Sequence, residues 1–169
     1  MKILTTILFL VVLAASLAVS QEKSADTPDR KALNGFGGHL LVVENPRAFI
    51  EEWMKPETPN IKPARDVKHG ASLGAFVLFA GCKPDAQGNC KAEVDYTIYE
   101  PDGTVFVERK SQTLWDAPPV PPPNVQLGKA ILAFTLPPDA TDGEYKVKAK
   151  VSDLNANITL DLETKFRLH

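Results

Sequence analysis

The stretch that most constrains this chain is its last part, where Asp142 to Val151 and Ile158 to Phe166 place apolar side chains on every second residue. That is the period of a strand with one buried and one wet face. Tyr145, Val147, Ala149 and Val151 share one side of the first run, and Ile158, Leu160, Leu162 and Phe166 share one side of the second. The polar residues Asp153 to Ala156 are expected to turn the chain between them. Setting Val151 opposite Ile158 buries both apolar sets together, and then brings Lys148 across from Asp161 and Lys146 across from Glu163. Each exposed pair adds only a few tenths of a kcal/mol, so burial drives the hairpin and charge biases its register.

Lys2 followed by the almost wholly apolar Ile3–Val19, with small residues at Ala18-Val19-Ser20, is the pattern of a cleaved signal peptide over residues 1–20. The mature chain is then expected to start at Gln21, of one-domain size and with no stable membrane span. A formal net charge of −2, with basic residues scattered among acids, argues against a nucleic-acid partner. Cys82 and Cys90 bracket a polar loop. In an exported chain they are expected to form a disulfide, which contributes about 2.5 kcal/mol through loop entropy. Neither further metal ligands nor a tighter Cys-x-x-Cys spacing accompanies them.

Residues 21–38, polar and without an apolar period, read as a flexible leader, with Asn34-Gly35-Phe36-Gly37-Gly38 as a hinge. His39–Val43 is a short strand, and Asn45-Pro46 caps and opens a helix predicted over Pro46–Lys55. Ser72–Ala80 is apolar on both faces, as in a strand covered from both sides. Val94, Tyr96 and Ile98 alternate with polar residues, and Pro101-Asp102-Gly103 turns the chain into Thr104–Val107. Trp115 to Pro123 holds too many prolines to donate a ladder of hydrogen bonds and is expected to run as polyproline II. Lys129–Leu136 then resumes the sheet. About seven strands separated by turn signals, with one helix inserted after the first, is the pattern of an all-β Greek-key sandwich over residues 39–169.

Leu136-Pro137-Pro138 leading into Asp142-Gly143-Glu144-Tyr145-Lys146-Val147 resembles the D-G-x-Y-x-V corner of exported immunoglobulin-like domains, both macroglobulin-type and bacterial. The resemblance implies a β-sandwich from about Val67 onward, with a tyrosine hydroxyl tying the corner to the backbone. It departs from the antibody pattern: Cys82 and Cys90 are too close in sequence to link two sheets, and no tryptophan lies between Glu93 and Tyr99. No functional residue is implied.

Chemistry-bearing residues are few. His39, His69 and His169 are dispersed, and Asp66, His69 and Ser72 have the residue types of a triad without the spacing. Glu51 and Glu52 are neighbours, about 100° apart on a helix, so they cannot serve as an acid–base pair. Asn157-Ile158-Thr159 is a glycosylation sequon at a turn. Rigid extended backbone beside large aromatics makes Trp53, Trp115, Pro119 and Pro122 the candidate binding surface. The alternative is that both tryptophans plug the ends of the sandwich. The sequence therefore predicts a secreted or periplasmic, non-enzymatic module without a cofactor, which binds a protein partner. A carbohydrate-binding domain stacking sugars on tryptophan, and a hydrolase, are the alternatives.

Overall fold

The computed structural model describes residues 26–57 and 59–169, so the signal peptide expected over residues 1–20 lies outside the described residues. In chain order the elements are β1 (Arg30–Leu33), β2 (Phe36–Glu44), α1 (Pro46–Trp53), β3 (Asp66–Val67), β4 (Ser72–Ala80), β5 (Ala92–Tyr99), β6 (Val105–Trp115), β7 (Gln126–Leu127), β8 (Leu132–Thr135), β9 (Gly143–Asp153) and β10 (Ile158–Leu168). One sheet runs β1-β2-β4-β7, with β8 on the other half of β4; the second runs β3-β10-β9-β5-β6. Every pairing is antiparallel except β3 with β10. The two sheets face each other across one core, so the chain is the all-β sandwich that its alternation predicts.

Seven of the ten strands are those read from the sequence, and β1, β3 and β7 are additional. β3 and β7 are two residues each, too short to carry a period. β1 overturns the expectation of a leader reaching to residue 38. Asn34 and Gly35 both take positive φ, 49° and 90°, which is the backbone of a two-residue hairpin turn, and they fold β1 onto β2. Residues before β1 close the side of the sandwich: the Pro28 carbonyl accepts from Glu163 N on β10 at 2.7 Å, and the Asp29 carbonyl from Leu40 N on β2 at 2.8 Å. Other predicted bounds also move. The His39–Val43 strand grows to Phe36–Glu44 and the helix stops at Trp53, not Lys55. β6 continues to Trp115, because its polar residues sit on an edge strand where alternation is weak, and the Lys129–Leu136 strand shrinks to Leu132–Thr135.

The β9–β10 hairpin forms, but slipped by two residues from the predicted register. Ile158 pairs with Asp153 and Leu160 with Val151, so Lys148 faces Glu163, Lys150 faces Asp161, and Lys146 faces Lys165. The cause is Asp153. Its carboxylate is only 1% exposed and accepts from Lys83 N at 2.7 Å, Asn155 N at 3.0 Å and Ala156 N at 3.1 Å. An aspartate satisfied in this way stays on the ladder, and the turn moves to Leu154–Asn157. A slip of two leaves every side chain on its own face, so the apolar pattern alone does not choose between the two registers.

The corner behaves as the resemblance implies. The Tyr145 hydroxyl donates to the Thr141 carbonyl at 3.1 Å, and its ring stacks on Phe166 at 5.3 Å. Val147, two residues on and buried, stands where antibody domains carry the second inter-sheet cysteine. On β5 the large core aromatic is Tyr96, whose hydroxyl donates to the Ala130 carbonyl at 3.0 Å and whose ionisation is pushed upward by burial.

β4 is apolar on both faces because both are covered. Leu73, Ala75, Val77 and Phe79 enter the core between the sheets. On the outside Phe76, opposite Leu41, receives Phe49 of α1 at 4.7 Å between ring centroids. The Asn45 side chain caps that helix by accepting from Ala48 N at 3.2 Å, and Pro46 sits in its first turn. Gly74 permits the approach, since a Cβ there would meet the Pro46 Cβ and the Phe76 ring at 2.7 Å.

Candidate functional site

Cys82 and Cys90 are joined in a disulfide, as expected. The loop between them is not a free contact surface. Asp85 accepts from Gln87 N at 2.9 Å and Asn89 N at 3.0 Å, while the Asn155 side-chain amide donates to the carbonyls of Lys83 and Asn89, both at 2.9 Å. With Asp153 beneath it, the loop is bound to the β9–β10 turn. The Asn89 amide, then those of Gln87 and Gly88 and the Lys91 charge, hold the Asp85 carboxyl below the usual aspartate range. A depressed carboxyl stabilises the fold above its unfolded pKa of about 3.9, and that contribution is lost as pH falls through the folded value.

Trp115 and Trp53 do not form one surface. Trp115 packs edge-on against Phe79 at 5.9 Å, donates its indole N–H to the Pro118 carbonyl at 3.1 Å, and has Lys129 Nζ over its ring at 4.9 Å. Lys129 also pairs with Asp116. This ring is engaged along its edge and over one face, which disfavours it as a sugar platform. Pro119 and Pro122 line a separate cavity of about 390 Å³ with Gly35, Ala80, Gly81 and Cys82.

Trp53 is half-buried at the end of α1, 6.2 Å from Phe49. It walls a groove of about 450 Å³ on the outer face of the first sheet, with Pro59, Ile61 and Leu78 beside it and Val125 at its far side. Gly37 and Ala80 form the floor, opposite one another in the β2–β4 ladder. Val125 is 49% exposed. Charged groups stand only at the β1 end. There Asp26 accepts from Ala32 N at 3.2 Å, Asp29 faces His39 Nε2 at 3.3 Å, and neither Arg30 nor Lys31 has an ion pair among the described residues. Leu41, Phe76 and Leu78 on this face are themselves buried, so what stays open is the neighbouring strip over half-buried Gly37 and Ala80, with exposed Val125 at its edge. Sequence reading reached Trp53 but missed Gly37, Leu78, Ala80 and Val125. The one available signal was the two-sided apolar run of β4, which calls for a cover without saying how much of one is supplied.

The remaining candidates disperse. His69 Nε2 lies 2.7 Å from Asp142 Oδ1, so its carboxylate partner comes from the corner before β9 and not from Asp66. Among the described residues no group of three or more His, Cys, Asp or Glu could hold a metal ion, and no helix is long and apolar enough to cross a membrane. A larger polar hollow of about 790 Å³ lies over the outer face of the second sheet, lined by Asp95, Glu108, Lys110, Lys148, Lys150 and Asp161 among others. Its opposite charges alternate, with Lys110 at 3.2 Å from Glu108 and Lys148 at 3.8 Å from Glu163, which is how a solvated sheet face is built. Asn157 of the sequon is exposed in the turn with φ 53°.

Fold and site together define an immunoglobulin-like all-β sandwich with a helix laid over one outer face and a partly open apolar groove beside it. No family model matches the chain. No curated protein matches it either. Among solved structures, the chain is similar to a family 123 glycoside hydrolase from Clostridium perfringens, at 9% identity and a TM-score of 0.46, covering 78% of this chain and 27% of that one. It thus spans about a quarter of the hydrolase's length. It is also similar to a CARDB domain from Pyrococcus furiosus solved in complex with di-metal ions, at 12% identity and a TM-score of 0.41, covering 86% and 98%. A third is an immunoglobulin-like protein from Pseudomonas aeruginosa, at 17% identity and a TM-score of 0.35, covering 78% and 91%.

Proposed function

We propose that the protein is an exported, non-enzymatic binding module that holds a protein partner in the groove beside Trp53. The observation that carries this reading is the groove itself: about 450 Å³ of apolar space left open on a sheet face whose other half is sealed by α1. Open concave apolar surface next to a rigid aromatic is where proteins take up side chains of a partner. Export is supported by the signal-like start of the sequence and by the Cys82–Cys90 disulfide, a bond that persists in oxidising compartments. The ionisable groups that line the groove, Asp26, Arg30, Lys31 and His39, gather at one lip, and the apolar floor and walls beyond them favour binding over hydrolysis. The aliphatic walls around Trp53 favour a protein over a sugar, which needs polar partners beside its stacking ring.

The test is photo-crosslinking in the producing cell. A photoreactive residue at Val125 in the groove is compared with one at Val105, exposed on the second sheet. A partner captured from Val125 and not from Val105 is the expected result, and equal capture or none removes the groove from the proposal. Amino-terminal sequencing of the exported chain should begin at Gln21.

A further inference from the structure

We propose that the groove takes an extended acidic–aliphatic peptide segment: its aliphatic side chains seat between Trp53, Leu78 and Val125, its carboxylate meets Arg30, and its backbone N–H groups reach the proline run. The inference rests on the reading of the groove as a partner site and adds the chemistry of what enters it.

Three observations carry it. The first is charge at one end. Of the ionisable groups at the β1 lip, Asp26 is engaged by the Ala32 amide, Asp29 by His39 and by the Thr27 hydroxyl at 2.8 Å, and Lys31, opposite Gly38 in the ladder, belongs to the other face of β1. Arg30 lies opposite His39 in the β1–β2 ladder, hence on the groove side, and it is exposed and without an ion pair among the described residues. A guanidinium at the mouth of an apolar groove selects a carboxylate, which it can bind through two parallel hydrogen bonds.

The second is the other end. The groove meets the proline-lined cavity at Ala80, which lines both. Pro121 accepts from Asn124 N at 3.1 Å and Pro118 from Trp115, whereas the carbonyls of Pro119, Val120 and Pro122 accept nothing from the described residues. The prolines have no N–H, so residues 119–123 carry more carbonyls than amides and suit a ligand that donates hydrogen bonds. A peptide backbone donates; an acyl chain does not.

The third is length. From β1 across β2 and β4 to β7 are three strand spacings, about 14 Å at ~4.8 Å each, which is about four residues of extended peptide.

The sheet edges offer less. On β1 the Arg30 amide is taken by Thr27 and the Ala32 amide by Asp26. β6 carries register shifts against β5 and a positive φ at Ser111, devices that protect an edge from strand addition.

The experiment selects a random seven-residue peptide library on the purified protein and measures the selected peptides by tryptophan fluorescence. Enrichment of a carboxylate about four residues from an aliphatic pair is expected. Gly37→Leu, at a strand position where an added Cβ meets nothing closer than 3.8 Å, should fold normally, fill the floor and weaken those peptides at least tenfold. Arg30→Glu should switch selection to Lys- or Arg-bearing peptides. If Gly37→Leu blocks binding but Arg30→Glu leaves the preference unchanged, the acidic partner is wrong and the groove reading survives. Indifference to Gly37→Leu sinks both. Failure to enrich any peptide, or Gly37→Leu-sensitive binding of dodecanoate in its place, overturns the peptide.

Discussion

On the outer face of the second sheet, Lys148, Lys150, Asp161 and Glu163 set opposite signs across from one another and stand in water; on the outer face of the first, Phe76 stands under α1 and Leu41 and Leu78 are buried beside it. Both faces come from the same period of two, and both belong to strands whose inner sides build one core. They differ in what completes them. A charged face is finished by solvent and by weak pairs between neighbours, so it needs no further element. An apolar face is incomplete until something covers it, and α1 with Pro59–Ile61 covers only part. The difference teaches where to look for function: the second sheet has settled its outer surface, and the first keeps an open apolar strip, which is where the proposed partner would sit.

That contrast can be broken by mutation. Phe76→Ala removes a fully buried ring that also seats Phe49, so urea unfolding should show a loss of about 3–5 kcal/mol, with α1 released from the sheet. A loss under about 1 kcal/mol would mean that the helix is held by something else and that the covered face is not a second core. Asp153→Ala tests the one inward acid of the second sheet. It strands three backbone amides and should cost about 2–3 kcal/mol, with faster hydrogen exchange at Lys83, Asn155 and Ala156. Tyr145→Phe keeps the ring stacked on Phe166 and deletes only the bond to Thr141, for about 1 kcal/mol by denaturant titration. Smallest is a double-mutant cycle on Lys148 and Glu163, which should return a coupling below about 0.5 kcal/mol that disappears in high salt. A coupling above ~1 kcal/mol there would place real stability on the charged face and blur the distinction between the two.

Much of this architecture was legible because the signals were local. The period of two in β5, β9 and β10, the Asn45-Pro46 helix start and the Pro101-Asp102-Gly103 turn each act within a few residues, and each forms near its expected place. The hairpin at Asn34-Gly35 carried a local signal too, but its flanks hide it: β1 is four residues long, and Gly37 and Gly38 dilute the apolar pattern of β2. The register of β9 and β10 was not legible, because a slip of two preserves both faces and the deciding contact, Lys83 N to Asp153, joins residues seventy apart in sequence. The candidate site was half legible. Large rigid aromatics pointed to both tryptophans, and only their surroundings separate Trp115, bonded to Pro118 and lying under Lys129, from Trp53, open to a groove.

By itself the sequence determined the class: alternation over two long runs admits little except strands with one buried face, and the punctuation between runs sets how many there are. Tertiary structure alone decided which apolar surface is left over. Cover is a property of pairs of elements, and whether α1 and Pro59–Ile61 reach far enough across β4 to close the space above Gly37 and Ala80 depends on distances that no single stretch of the chain encodes.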